Sequence, residues 1–168
     1  MLRSLAAAAL ALTATLAVAA PAQAEPSPDV LVAKCGHLTE PAGTKPQVLM
    51  LAEINCARKV AGVAPLHGFR AVGGVASRWT LHMAETQRLA HNPNRADEVT
   101  AVDARWTLLG EIVGATQTGT GDVDRITTSW FKSAVHRHVI LNPKFHAVGI
   151  GIKPGSGWVW ATCDFVDA

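Results

Sequence analysis

The sequence predicts an α+β domain in which helices pack on a small antiparallel sheet. Apolar residues recur at helical spacing in segments that begin near residues 46, 71 and 122. Residues 148–152 instead alternate apolar side chains with glycine, which is typical of a strand. A Pro-Gly-Ser-Gly turn at 154–157 separates them from a second apolar segment over 158–166. We expect these two segments to pair as a terminal β-hairpin.

Residues 1–24 have the features of an export signal. Arg3 supplies a positive charge, residues 5–20 are small or apolar, and Ala-Gln-Ala at 22–24 is typical of a cleavage site. An N-terminal membrane anchor is the alternative, but the run is short for a span and the small-x-small site favours cleavage. We therefore expect a secreted, extracellular protein that starts near Glu25 and has no membrane span after cleavage.

The charge pattern gives no sign of a polyanionic partner. The formal net charge is +2, and basic and acidic residues are interspersed without a run of Lys or Arg. Nucleic-acid binding is not expected from this pattern. We expect a monomer with one domain over residues 46–168.

The first part of the exported chain divides into an arm and a helix. Residues 25–45 are rich in Pro, Gly and small polar residues, which predicts an extended arm. A helix is predicted over 46–61, since Pro46 suits a first turn and Gly62 suits a C-terminal stop. Residues 66–69 are expected to be a connector.

A second helix is predicted over 71–89, although Gly73 and Gly74 weaken its start by about 1 kcal/mol each. The His-Asn-Pro-Asn segment at 91–94 should end it in a turn.

The middle of the chain predicts shorter elements. A short helical piece is expected within 97–109, and a strand over 111–116. Asp122 can start a third helix as its N-cap or first-turn acid. Residues 136–141 are expected to form a short turn or helix.

Three cysteines in an exported chain predict one disulfide and one spare thiol. We expect the pair Cys35–Cys56, which would join the arm to the first helix. Cys163 lies in the terminal strand pattern, where a small buried thiol is the simplest interpretation. Pairings with Cys163 remain open.

Several segments of the chain carry recognisable motifs in a fixed order. VLMLAEINCARKVAGVAPL contains a pattern close to LxxINxxRxxxGxxPL, and ASRWTLHMAETQRLAHNP is a helical segment that ends at a histidine. LLGEIVG is close to a GEN motif, SWFKSAVHRHVILNPKF to WxxSxxHRxNILNPxF, and VGIGI with WVWATCDF forms the terminal hairpin pattern. Together these segments resemble the CAP superfamily of cysteine-rich secretory proteins, insect venom allergens, plant pathogenesis-related proteins and their bacterial relatives.

This resemblance implies an α-β-α sandwich with a surface cleft lined by His91, Glu111 and His136. Many eukaryotic members have a second glutamate in the cleft, and Ser133 stands at that position here. Ile112 and Val139 also depart from the family pattern, each standing where an asparagine is typical. The resemblance further implies an extracellular ligand such as a lipid, a cell-wall component or another protein.

Three chemical interpretations of the cleft remain open. His91 and His136 are candidate ligands for a weakly bound divalent ion such as Zn²⁺, with Glu111 as a third ligand or a support. His138 is expected to be exposed, because residues i and i+2 point to different faces of a helix. Alternatively, a hydrogen-bonded His–Glu–His cluster ties the elements together, since a carboxylate lowers the cost of burying imidazoles.

The third interpretation is catalytic, with Ser133, His136 and Glu111 as nucleophile, base and orienting acid. No nucleophile-elbow motif supports it, so we assign no catalytic residue. The sequence therefore predicts a non-enzymatic extracellular binding module. A metal-assisted secreted hydrolase and an extracellular structural scaffold are the alternatives.

Overall fold

The structure is a computed structural model that describes residues 24–39, 41 and 43–168. The export signal expected over 1–24 lies outside the described residues except for Ala24. The six helices of the described part are α1 Pro28–Cys35, α2 Pro46–Val60, α3 Arg70–Thr86, α4 Arg95–Val102, α5 Asp122–Lys132 and α6 Ala134–Ile140. Its four strands are β1 His67–Gly68, β2 Leu109–Gln117, β3 Ala147–Gly155 and β4 Trp158–Val166. No helix among these is both long and apolar enough to cross a bilayer.

The sheet is mixed, with the strand order β1-β3-β4-β2. β4 is central and pairs antiparallel with both β3 and β2, while the short β1 pairs parallel with the first residues of β3. The predicted terminal hairpin is therefore confirmed. Its loop consists of Ser156 and Gly157, which have φ values of 50° and 78°, as a tight hairpin turn that follows the strand twist requires.

Helices cover both faces of the sheet, which confirms the α+β class and gives the expected sandwich. α3 packs on one face against β3 and β4, and α2, α5 and α6 pack on the other. Strand alternation divides β4 between these layers. Cys163 and Phe165 join the large core beneath α2 and α5, whereas Trp160 and Val166 pack on the α3 side.

The expectation of a wholly extended arm is wrong, because residues 28–35 form helix α1. Ser27 caps it by accepting a hydrogen bond from the backbone N–H of Val30 at 3.4 Å, and Pro28 occupies the first turn. Eight residues rarely form a stable helix alone. Burial of Leu31 and Cys35 against α2 and α5 supplies the stabilisation that propensity lacks.

Glycines bring α3 and β3 into backbone contact. A Cβ on Gly149 would lie 2.3 Å from the backbone nitrogen of Gly73, and one on Gly151 would lie 2.5 Å from the carbonyl oxygen of Ala76. Helix α3 begins at Arg70 despite its two glycines, because this close packing offsets their low helix propensity. It ends at Thr86, three residues before the predicted end, where Gln87 adopts a left-handed conformation with φ 54°.

The disulfide Cys35–Cys56 is confirmed, with a Cα–Cα distance of 5.5 Å. It fixes α1 to α2. Cys163 is free and completely buried, as expected, and burial raises the pKa of its thiol well above the usual value.

The INxxR motif of α2 fastens the segments that follow the helix. Asn55 exchanges two hydrogen bonds with the backbone of Leu66, at 2.9 and 2.8 Å. Arg58 is completely buried and donates to the carbonyl oxygens of Ala64, Ile140, Asn142 and Phe145, at 2.7, 2.7, 3.0 and 2.9 Å respectively. This arginine therefore connects the end of α2 to the end of α6 and to the loop before β3.

Candidate functional site

His91 and Glu111 are in direct contact. His91 lies in the loop between α3 and α4, and Glu111 is the third residue of β2. His91 Nδ1 and Glu111 Oε1 are 2.6 Å apart. An ionised carboxylate only accepts hydrogen bonds, so it places the proton on Nδ1 and leaves Nε2 as the free ring nitrogen.

The glutamate is buried, while the histidine faces solvent. The side chain of Glu111 is 1% exposed and that of His91 is 57% exposed. Glu111 also accepts a hydrogen bond from the backbone N–H of Asn92, at 3.0 Å to Oε1 and 3.3 Å to Oε2. These contacts fix the loop after α3 to the edge strand β2.

His136 approaches this pair without bonding to it. It lies in α6, with its ring 6.4 Å from that of the buried Trp130. Burial lowers its pKa, and the nearby His91 lowers it further. Its Nδ1 is buried and has no hydrogen-bond partner among the described residues. The structure thus brings His136 into electrostatic range of His91, but no hydrogen bond links it to Glu111 in this part of the chain.

Ser133 and His138 lie outside the His91–Glu111 contact. Ser133 forms the junction between α5 and α6, with φ −89° and ψ 120°, and no hydrogen bond joins it to His136 within the described segments. A serine–histidine–glutamate triad is therefore not formed. His138 is exposed, as the i, i+2 spacing predicted.

The residues present do not fit a resident metal ion. Among the described residues, no group of three or more His, Cys, Asp or Glu side chains is arranged to hold one. Glu111 Oε1 already accepts hydrogen bonds from His91 and Asn92, which restricts its use as a ligand. Stable zinc sites use three or four protein ligands, so we derive no chemistry through a metal here.

Asp164 is a site residue that sequence reasoning missed. It is completely buried on β4, directly opposite Glu111 on β2, and both of its carboxyl oxygens lack a hydrogen-bond partner among the described residues. Burial, and then the charge of Glu111, raise its pKa to about 8. The available signal was an isolated acid in the apolar strand WVWATCDFV, at an alternate position that faces the α3 layer.

Two concave surfaces lie near these elements. His91 lines a pocket of about 210 Å³ together with Trp79, His82 and Arg88, and the rings of Trp79 and His82 stack at 4.7 Å. A separate groove of about 610 Å³ lies between α2 and the first half of α3. The sequence motifs pointed to the His91 region and gave no indication of the groove.

Comparison with known proteins gives one family and several similar folds. The model of the cysteine-rich secretory protein family, CAP, matches residues 51–165. No curated protein sequence matches significantly. A Bacillus anthracis extracellular protein containing an SCP domain is 20% identical, with a TM-score of 0.62 over 71% of this chain and 39% of that protein.

Two other solved structures share the fold. An outer surface protein from Borrelia burgdorferi is 16% identical, with a TM-score of 0.65 over 78% of this chain and 97% of that one. A cysteine-rich secretory protein from Staphylococcus aureus is 21% identical, with a TM-score of 0.57 over 79% of this chain and 42% of that one. This chain therefore spans about two fifths of the Bacillus and Staphylococcus proteins but nearly all of the Borrelia protein.

Proposed function

Because the chain belongs to the CAP family of cysteine-rich secretory proteins, we propose that it is a non-enzymatic extracellular binding module whose ligand lies in the groove between α2 and α3. Two of the similar structures are described as an extracellular and an outer surface protein. The Cys35–Cys56 disulfide supports the same location, since such bonds persist in oxidising compartments.

The shape and apolar lining of the groove carry the proposal. Val48 and Leu51 of α2 form one wall, and Phe69 lies at the start of α3. Within the described residues β1 pairs only with Ala147 and Val148, which leaves Ile150 of β3 without a strand partner on that edge to form the floor. A cavity of about 610 Å³ is within the usual range for small-molecule sites.

The absence of side chains on one wall keeps the groove open. Gly68, Gly73 and Gly74 all line it. A Cβ on Gly74 would meet only the Nη1 atom of Arg78 within 4 Å, at 3.8 Å. A larger side chain at Gly74 would therefore occupy the groove rather than clash with the protein.

The charge at the rim selects the ligand class. Lys45 and Arg70 both line the groove, and none of its lining residues in the described part of the chain is acidic. Neither cation takes part in an ion pair among residues 24–39, 41 and 43–168. An apolar channel with two unpaired cations matches an anionic amphiphile, which carries an acyl chain and a carboxylate or phosphate group. Of the lipid, cell-wall and protein ligands considered, we therefore propose a lipid.

Calorimetric titration with free oleate tests the proposal. The chain should bind oleate saturably, and oleyl alcohol more weakly because it lacks the charge. Gly74→Leu should abolish binding while retaining the fold, since leucine is favoured over glycine in a helix by up to about 1 kcal/mol. Ala71→Leu is the matched control on α3, because Ala71 is exposed and does not line the groove.

Three outcomes would contradict the proposal. Oleate binding that survives Gly74→Leu but is lost in His91→Ala would move the ligand to the pocket beside His91. If the protein binds purified cell-wall material but not oleate, the ligand is a cell-wall component rather than a lipid. No retained lipid or wall ligand would favour the scaffold alternative.

A further inference from the structure

A second feature of the molecule, independent of the groove, is an acid pair beneath His91. Glu111 and Asp164 are register partners on neighbouring antiparallel strands, so their side chains lie on the same face of the sheet. Both carboxyl groups are buried, and as direct cross-strand partners they are close neighbours on that face. Two ionised carboxylates in this position would repel each other without water to screen them.

The hydrogen-bond partners of the two acids differ. Glu111 accepts hydrogen bonds from His91 and from the backbone of Asn92, and these contacts favour its carboxylate form. Asp164 has no donor to either oxygen among the described residues. An isolated buried carboxylate without donors is costly, whereas a protonated carboxyl group can satisfy itself by donating to an acceptor.

The charged residues around the acid pair do not supply Asp164 with a hydrogen-bond donor. Arg95 on α4 lowers the pKa of Asp164, whereas Glu98 on the same helix raises it. Glu98 is in turn 3.4 Å from the guanidinium of Arg78 on α3. Arg95 donates to the carbonyl oxygen of Asn92 at 3.1 Å rather than to Asp164. The cations near the acid pair therefore have other hydrogen-bond partners.

We propose that Asp164 is a positioning residue of the His91 site. It is a neutral carboxylic acid whose hydroxyl donates to the carboxylate of Glu111. The pair holds one proton, which resides on Asp164. This donor leaves Glu111 in the orientation in which it accepts from His91 Nδ1 and the Asn92 N–H, and so holds the ring of His91 at the pocket that it lines.

The raised pKa of Asp164 supports this assignment and fixes the sign of a pH effect. The usual aspartate pKa is 3.8, and the folded value is about 8. Between these values the folded protein binds a proton that the unfolded chain does not. The unfolding equilibrium constant should therefore rise with pH in this window, by up to about tenfold per unit from this group.

The experiment compares the wild-type chain with Asp164→Asn, whose amide is neutral at every pH and can donate to Glu111. The ratio of their unfolding constants, from urea titrations at pH 5, 6 and 7, should change by up to about tenfold per pH unit. Glu53 is also buried and has a pKa raised to about 8, mainly by burial, but it is present in both proteins and cancels in the ratio. Carbon-13 NMR of the Asp164 carboxyl group should show an inflection near pH 8.

A second readout separates positioning from packing. The proton between His91 Nδ1 and Glu111 should give a downfield signal in wild type and Asp164→Asn, and this signal should be lost in Asp164→Leu, which has similar volume but no donor. A ratio of unfolding constants that is independent of pH, or a carboxyl inflection near pH 4, would overturn the proposal. Both of these measurements remain decisive if Asp164→Leu does not fold, and neither depends on lipid binding.

Discussion

Replacing Arg58 by methionine should be among the most damaging single changes in this protein. Methionine keeps roughly the aliphatic part of the arginine side chain but removes every donor. Arg58 is completely buried and no carboxylate pairs with it in the described residues, so its charge is stabilised by four backbone carbonyl oxygens. The change removes their donors and leaves the acceptors in place.

The magnitude follows from the burial of those carbonyl groups. The bonds to Ile140 and Phe145 are fully buried, and those to Ala64 and Asn142 are partly buried. Each buried acceptor left without a donor costs about 1–3 kcal/mol. Two such acceptors predict a loss of about 2–6 kcal/mol, a large part of the ~5–15 kcal/mol that stabilises a typical domain.

Urea unfolding followed by tryptophan fluorescence measures this loss, because Trp130 lies in the main core. Arg88→Met is the matched control, since Arg88 is exposed and should change the free energy of unfolding by less than ~0.5 kcal/mol. A loss below about 1 kcal/mol for Arg58→Met would refute the reasoning. It would mean that water or a rearranged loop satisfies the carbonyl groups.

The disulfide, the strand glycines and the histidines give three more tests. Replacing Cys35 and Cys56 by serine should lower the free energy of unfolding by about 3 kcal/mol, the chain-entropy value for a sequence separation of 21. An unchanged melting temperature would contradict this prediction. Gly149→Ala should lower the free energy of unfolding, measured in urea, by about 3 kcal/mol, because the methyl group would lie 2.3 Å from the backbone of α3. A variant as stable as the wild type would argue against that close approach. Calorimetric titration of Zn²⁺ into chelator-treated protein should show no micromolar binding. Micromolar binding that is lost in His91→Ala would instead support the metal-assisted hydrolase.

Periodicity located most of the fold. The helical repeat before Gly62 and the alternation over 148–152 each reflect a face that must be buried, and both elements formed where predicted. Helix α1 was missed because its stability depends on packing against α2 and α5, and eight residues carry too little periodic signal. β1 was missed because two residues form a strand only through their pairing with β3.

The sequence also predicted part of the polar cluster. The resemblance placed His91 and Glu111 together, and they lie 2.6 Å apart. It could not predict that Asp164 lies opposite Glu111, because β2 and β4 are distant in sequence and no turn joins them to set their register. It also could not show that Lys45 and Arg70 lie at the same groove, since Lys45 precedes α2 and Arg70 begins α3.

The sequence by itself determined the family, the α+β class and the terminal hairpin, and it favoured the pair Cys35–Cys56 while pairings with Cys163 stayed open. These depend on local spacing and on the order of motifs, which the chain carries without reference to its folded shape. The tertiary structure alone decided which polar groups are buried together and which glycines leave a surface open. Burial and proximity depend on residues distant in sequence, and they make Asp164 a proton-holding neighbour of Glu111 rather than an ordinary strand aspartate.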